Sequence, residues 1–206
     1  MSKMMDTYAR QPVTFEKGQG VWLWAKDGKK YLDALSGVAV NGLGHTHPKL
    51  IKAISEQISR LIHVSNVYHI AEQEKLAEKL TAISGMDNVF FCNSGCEANE
   101  AAIKLARLYG HQNGIDTPEI IVMEKAFHCR TMATLSATGN RKTQAGFEPL
   151  VGGFIRVAFD DLEAIQQIAS RKNNVVAILV EPIQGEGGFI VPAEGYLAAL
   201  VEWCRA

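Results

Sequence analysis

The stretch Ile120-Ile121-Val122-Met123-Glu124-Lys125-Ala126-Phe127-His128-Cys129-Arg130-Thr131 begins with an unbroken apolar run and ends with an aromatic ring, an imidazole, a thiol and a guanidinium in succession. A short apolar run bounded by polar residues is the pattern of a strand buried on both faces. The residues after Met123 lie where an open parallel sheet binds its ligands, beyond the carboxyl end of a strand.

Working outward, the same rhythm recurs. Toward the N-terminus lie the apolar run Val89-Phe90-Phe91-Cys92 and a helix predicted from about Gly95 to Tyr109. Toward the C-terminus come another short helix, the run Phe154-Ile155-Arg156-Val157, a helix over Leu162 to Ala169, a run over Val175 to Val180, and a helix from about Glu194. Strand and helix in alternation predict an α/β fold with a mostly parallel sheet covered by helices. The first part of the chain reads differently. Val21 to Trp24 and Tyr31 to Leu35 flank an Asp27-Gly28 turn, which is a β-hairpin pattern. From Pro48, the residues Leu50, Ile51, Ile54, Ile58, Leu61 and Ile62 share one helical face, and a second amphipathic helix is expected over Ala71 to Ile83. The natural boundary falls near residues 60 to 70, giving a hairpin-rich segment 1–60 and an alternating segment 61–206.

The bulk numbers narrow the class of partner. The 206 residues are 47% hydrophobic and 21% charged, the balance of an ordinary globular protein. Lys plus Arg is 21 and Asp plus Glu is 22, so a net charge of −1 offers no general field for nucleic acid or an anionic membrane. No apolar run approaches the roughly 20 residues needed to span a bilayer. The cysteines are Cys92, Cys96, Cys129 and Cys204. They make no disulfide framework, and the spacing of Cys92 and Cys96 is not that of a zinc knuckle. A reducing, cytoplasmic setting and no metal site are expected.

Each of three predicted strands runs into residues suited to a ligand. Asn93-Ser94-Gly95-Cys96-Glu97-Ala98-Asn99-Glu100 joins a strand to a helix, with Ser94 and Glu97 spaced as a capping box. The free amides and positive end of such a helix suit a phosphate, though the same spacing serves an ordinary capped helix. Phe127 is able to stack on a planar ring and Arg130 to take a carboxylate through paired hydrogen bonds, against the plainer reading of a core ring and a surface charge. Glu181-Pro182-Ile183-Gln184-Gly185-Glu186-Gly187-Gly188 closes a buried run with two carboxylates, which need partners there or else lie solvated in a glycine-rich turn. Residues alone reach only as far as a phosphorylated planar cofactor and an acidic substrate.

Together with Lys17-Gly18-Gln19-Gly20, Asp27-Gly28-Lys29-Lys30-Tyr31-Leu32-Asp33 and Gly44-His45-Thr46-His47-Pro48, these loops closely resemble the class III pyridoxal-phosphate-dependent aminotransferases over nearly the whole chain. The resemblance implies the aminotransferase fold of type I, incomplete here, with residues 1–60 in the small domain and 61–206 opening the large cofactor-binding domain. It implies that Ser94, Gly95 and Cys96 hold the phosphate of pyridoxal 5'-phosphate, that Phe127 stacks on its ring, and that Arg130 binds the substrate α-carboxylate. Glu181 and Glu186 match acidic positions of the site. Amino-acid and 2-oxo-acid substrates and a homodimer are implied as well. Val38 and His128 stand where ornithine-specific members have tyrosine and tryptophan, which favours N-acetylornithine as amino donor, with ornithine, succinylornithine, succinyl-diaminopimelate and 4-aminobutyrate as alternatives. Cys129 departs from the family's usual glycine and is expected to crowd the loop that aims Arg130. The family's cofactor-bonding lysine and its aspartate partner for the pyridine nitrogen fall downstream of the position matching Ala206. No catalytic residue is therefore expected within this chain, and the chain alone is expected to be inactive. Lys104, Lys125 and Lys142 match surface or structural positions. A short, non-catalytic cofactor-binding or dimer-forming protein is the alternative of another class.

Overall fold

The computed structural model describes residues 3–205, which form two compact units dividing between Ser84 and Gly85. The ends of the chain at 1 and 206, the outer limits of the expected segments, lie outside the described residues. The inner limit expected at 60 differs from this division, which keeps the second amphipathic helix with the hairpin segment.

In the N-terminal unit, β1 (Phe15–Gln19), β2 (Trp22–Ala25) and β3 (Lys30–Leu32) form an antiparallel sheet in that order. The expected hairpin is β2–β3, registered Trp22 to Leu32 and Leu23 to Tyr31. Its turn places Gly28 at φ +83°, a conformation open to glycine without steric cost, and Asp27 Oδ1 accepts the Lys29 N–H at 3.1 Å. Strand β1 escaped prediction because Phe15-Glu16-Lys17-Gly18-Gln19 carries too few apolar residues to show a strand period; its pairing with β2 orders it. A turn, α1 (Ser36–Ala39), follows, held by Asp33, whose Oδ1 accepts the Ser36 N–H at 2.8 Å while Oδ2 meets His45 Nε2 at 2.7 Å. Next come α2 (Pro48–Ile58), with Pro48 in its first turn, and α3 (Ala71–Ser84). Leu61 and Ile62 lie past the end of α2 rather than on its face.

The second unit runs α4 (Gly95–Gln112), β4 (Glu119–Met123), α5 (Met132–Ala137), α6 (Arg141–Gln144), β5 (Phe154–Val157), α7 (Leu162–Arg171), β6 (Val175–Leu179) and α8 (Tyr196–Arg205). The sheet order is β5-β4-β6 with both pairings parallel, as the alternation predicts. Strand β4 is central, and its side chains alternate between two cores. Ile121 and Met123 pack with Val157, Ile165 of α7, and Tyr196 and Leu200 of α8. Ile120 and Val122 pack with Ile103 of α4 and Ala137 of α5. Helices therefore cover both faces.

One expected strand is absent. Val89 to Cys92 forms no β-pairing and Phe90 is exposed, because no strand among the described residues lies alongside to take its backbone N–H and C=O groups. Apolar composition makes a strand only where a neighbour completes the ladder.

Ile121 is fully buried at the centre of the sheet. Ile121→Ala is expected to cost about 2–5 kcal/mol of stability, read as a lowered urea midpoint with unchanged slope.

Candidate cofactor and substrate site

The segments leaving the carboxyl ends of β4 and β6 meet through backbone–side-chain bonds. Glu181, two residues after β6, accepts the Phe127 N–H at Oε2 (2.9 Å) and the Gly185 N–H at Oε1 (3.4 Å). Gln184, fully buried, donates from Nε2 to the Glu124 carbonyl at 2.8 Å, and its backbone pairs both ways with Ile190. Gly139 completes this frame. Its N–H donates to Ala126 O at 2.7 Å, and a Cβ there would lie 2.4 Å from Lys125 N and 2.6 Å from Met123 O, so only glycine admits the approach.

These segments border a cavity of about 330 Å³, with Phe127, Arg130, Lys125, Asn140, Lys142 and Glu186 in its lining. The Arg130 guanidinium carbon stands 6.0 Å from the centre of the Phe127 ring. An aromatic face and a cation at one opening suit a planar ring with an acidic group nearby. Lys125 and Lys142, expected at surface or structural positions, are exposed and border the same cavity.

The other anchor is the N-terminus of α4. Ser94 caps it, its Oγ accepting the Glu97 N–H at 3.3 Å. Glu97 accepts the Asn93 N–H at 2.8 Å and the Ser94 hydroxyl at 3.1 Å. Hydrogen bonds from Asn93, then Ser94, hold its carboxyl below the usual carboxylate range. The amides of the first turn precede the intrahelical ladder, and the space where a side chain on Gly95 would sit is open. Ser94, Gly95 and Cys96 do not line the 330 Å³ cavity. They are tied to its loop from behind: Asn99 Nδ2 donates to His128 O at 3.1 Å, the Thr131 hydroxyl donates to Glu100, and the Cys96 thiol donates to Thr131 Oγ1 at 3.3 Å.

His128 turns inward. It is buried, Thr138 Oγ1 accepts its backbone N–H at 3.0 Å, and its Nε2 has no hydrogen-bond partner. Burial first, then the nearby Arg156 guanidinium, pushes its pKa down to about 4. Arg156 itself closes the C-terminus of α5 by donating to Ser136, Ala137 and Thr138 carbonyls. Cys129 takes φ +93°, which gives a physical reason for glycine at this position. Val38 sits in the α1 turn, solvent-exposed, at φ +57°. The positioning residues Asn99, Thr131, Thr138 and Gln184 escaped sequence reasoning; Asn99, Thr131 and Gln184 lay inside the segments singled out, but nothing in the pattern showed which way they face.

A family model described as aminotransferase class-III matches residues 4–206. The chain belongs to the class III aminotransferases. This aminotransferase chain is 65% identical over 204 residues to a Nitrosomonas europaea protein named acetylornithine aminotransferase, covering 99% of this chain and 52% of the relative. It is 50% identical to a protein of the same name from Prochlorococcus marinus, of which it covers 49%. Among solved structures, it superposes on an ornithine aminotransferase from Toxoplasma gondii at TM-score 0.92 and 33% identity, and on an acetylornithine aminotransferase from Elizabethkingia anophelis at 0.81 and 35%. Each superposition takes in 98% of this chain and 48% of the other. The chain spans about half the length of the curated relatives it matches. Class III aminotransferases depend on pyridoxal phosphate. The open space at Gly95 before free first-turn amides fits the phosphate, and the half-buried Phe127 bordering a cavity fits a planar ring.

His128 generates a pH prediction. Its folded pKa of about 4 lies below the unfolded value near 6.5, so between these values the unfolded chain binds the extra proton. Stability should be undiminished by this group above pH 6.5 and fall as pH drops toward 4, by at most about 1.4 kcal/mol per pH unit. Urea titrations across that window should show a shallower slope in His128→Asn.

Proposed function

We propose that the whole protein, of which this chain forms part, transfers an amino group from N-acetylornithine to 2-oxoglutarate through pyridoxal phosphate, giving glutamate, a step of arginine biosynthesis. The observation that carries this reading is 65% identity, across 99% of the chain, to a relative named acetylornithine aminotransferase. The cavity bearing an aromatic ring and a guanidinium supports it from chemistry.

When bound, the cofactor supplies a carbonyl carbon to receive the amino group and an electron-withdrawing ring. Binding and orientation fall to this chain. The backbone amides of Gly95 and Cys96 would hold the phosphate at the positive end of α4, joined by the Ser94 hydroxyl once it turns from Glu97. Phe127 packs on the ring, and its amide is held in place by Glu181. Arg130 takes the α-carboxylate of each substrate in turn, since a planar guanidinium pairs with a carboxylate through two parallel hydrogen bonds. Glu186, at the cavity rim, is free to pair with an arginine supplied by the remainder of the protein.

The reading extends to the assembly. Residues 1–60 belong to a small domain and 61–206 open a large one, and the protein works in the cytoplasm as a homodimer. Exposed apolar side chains such as Val40, Leu43 and Ile62 in the N-terminal unit suit burial against other protein. No helix among the described residues is long and apolar enough to cross a membrane.

Arg130→Lys in the whole protein should lower kcat/KM for both amino donor and oxo acid by about 10- to 100-fold, the loss of a charge-assisted hydrogen bond worth about 1.5–3 kcal/mol. Most of the effect should appear in KM. Steady-state assays with N-acetylornithine and ornithine test the substrate: a clear preference for ornithine overturns N-acetylornithine as donor, and full activity of Arg130→Lys overturns the role of Arg130.

A further inference from the structure

Arg130 is exposed, and its guanidinium carbon lies 6.0 Å from the centre of the Phe127 ring. Among the described residues that guanidinium has no ion pair to hold it, and a long side chain so loosely held samples many rotamers. What aims it is its backbone. Two consecutive residues of α4 grip that backbone on either side. Asn99 Nδ2 donates to His128 O at 3.1 Å, and Glu100 Oε1 accepts the Thr131 hydroxyl. Between the two grips lie Cys129 and Arg130. Cys129 takes φ +93°, which a residue other than glycine keeps only where its surroundings hold it.

Thr131 forgoes its ordinary local task to make this contact. It is the N-cap of α5, where a threonine oxygen usually accepts an amide of its own helix. No such bond forms here. The hydroxyl proton goes to Glu100, and the oxygen receives the Cys96 thiol at 3.3 Å and the Thr134 hydroxyl at 2.8 Å. Cys96 and Glu100 are four residues apart in α4, so one helix face presents both groups to Thr131. A carboxylate acceptor makes this a charge-assisted bond, stronger than a neutral one.

We propose that Thr131, locked to Glu100, is a positioning residue that sets where Arg130 presents its guanidinium, and so governs binding of the substrate carboxylate.

The proposal rests on the assignment of Arg130 to that carboxylate. The helix that carries Asn99 and Glu100 also begins with the Gly95 and Cys96 amides assigned to the cofactor phosphate. Phosphate turn and Arg130 loop are thus registered against one rigid element. Without the Thr131 bond, the loop keeps from α4 only the Asn99 grip on its other side. The bond acts on how a carboxylate finds the guanidinium and takes no part in making or breaking bonds to nitrogen. Its loss therefore belongs in KM and in carboxylate affinity, with kcat largely kept.

The test uses the whole protein loaded with pyridoxal phosphate and, as probe, glutarate, a dicarboxylate that cannot accept an amino group. Calorimetry reads glutarate binding, and steady-state assays separate KM from kcat. Thr131→Val, which keeps the shape and removes the hydroxyl, should weaken glutarate binding by about tenfold, the loss that follows removal of a charge-assisted hydrogen bond. Thr131→Ser should restore it, and Glu100→Gln, which keeps an acceptor without its charge, should fall between. Arg130→Lys is the control for the underlying assignment. If it weakens glutarate binding while Thr131→Val binds as tightly as the unaltered protein, the Thr131 proposal alone is overturned. If Arg130→Lys also binds glutarate unchanged, the assignment of Arg130 falls and the proposal falls with it. A Thr131→Ser protein as weak as Thr131→Val would overturn the role of the hydroxyl.

Discussion

The second unit hangs on strand β4. Among the described residues it is the only strand of its sheet with a hydrogen-bonded neighbour on each side, β5 along one edge and β6 along the other. From Ile120 to Met123 it is buried on both faces, so each of these side chains commits to one of the two cores and none can rotate toward solvent. A one-residue slip would exchange the α4/α5 face for the α7/α8 face, and the two faces pack against different sets of side chains. That constraint fixes where β4 ends, and the residue after it must leave at the same edge as the residues after β6.

The consequence is a short bridge between loops far apart in sequence. Glu181 reaches the Phe127 amide only because β4 and β6 run parallel and in register, Ile121 beside Ile178 and Val122 beside Leu179. A carboxylate at that edge has backbone N–H groups within reach and needs no counter-charge, which answers the cost a buried or half-buried carboxylate would otherwise carry. Gln184 repeats the device with an amide, reaching the Glu124 carbonyl. The site is thus held by polar groups of one loop satisfying the backbone of the other.

The sheet was legible in the sequence because its strands are buried and short, with helices of clear period between them. The capping residue Ser94 was legible for the same kind of reason, since a cap is a local interaction. Two things were not. Val89 to Cys92 has strand composition, but pairing is a property of two segments, and no described segment partners it. Strand β1 is the converse, a polar segment made into a strand by its neighbour. Composition reports burial well and pairing poorly.

The loop after β4 shows why residue type alone could not assign the site. Phe127, His128, Cys129 and Arg130 are consecutive, yet Phe127 borders the cavity, His128 is buried, Cys129 is half-buried, and Arg130 is exposed at the rim. The direction of each depends on backbone torsions set by remote partners: Glu181 on the Phe127 amide, Thr138 on the His128 amide, and a left-handed turn at Cys129. An imidazole at that second position is held neutral by burial beside Arg156, so it adds no charge to compete with Arg130 for an acidic ligand. The cations that line the cavity are therefore Arg130, Arg141, Lys125 and Lys142, and the histidine stays in the packing behind them.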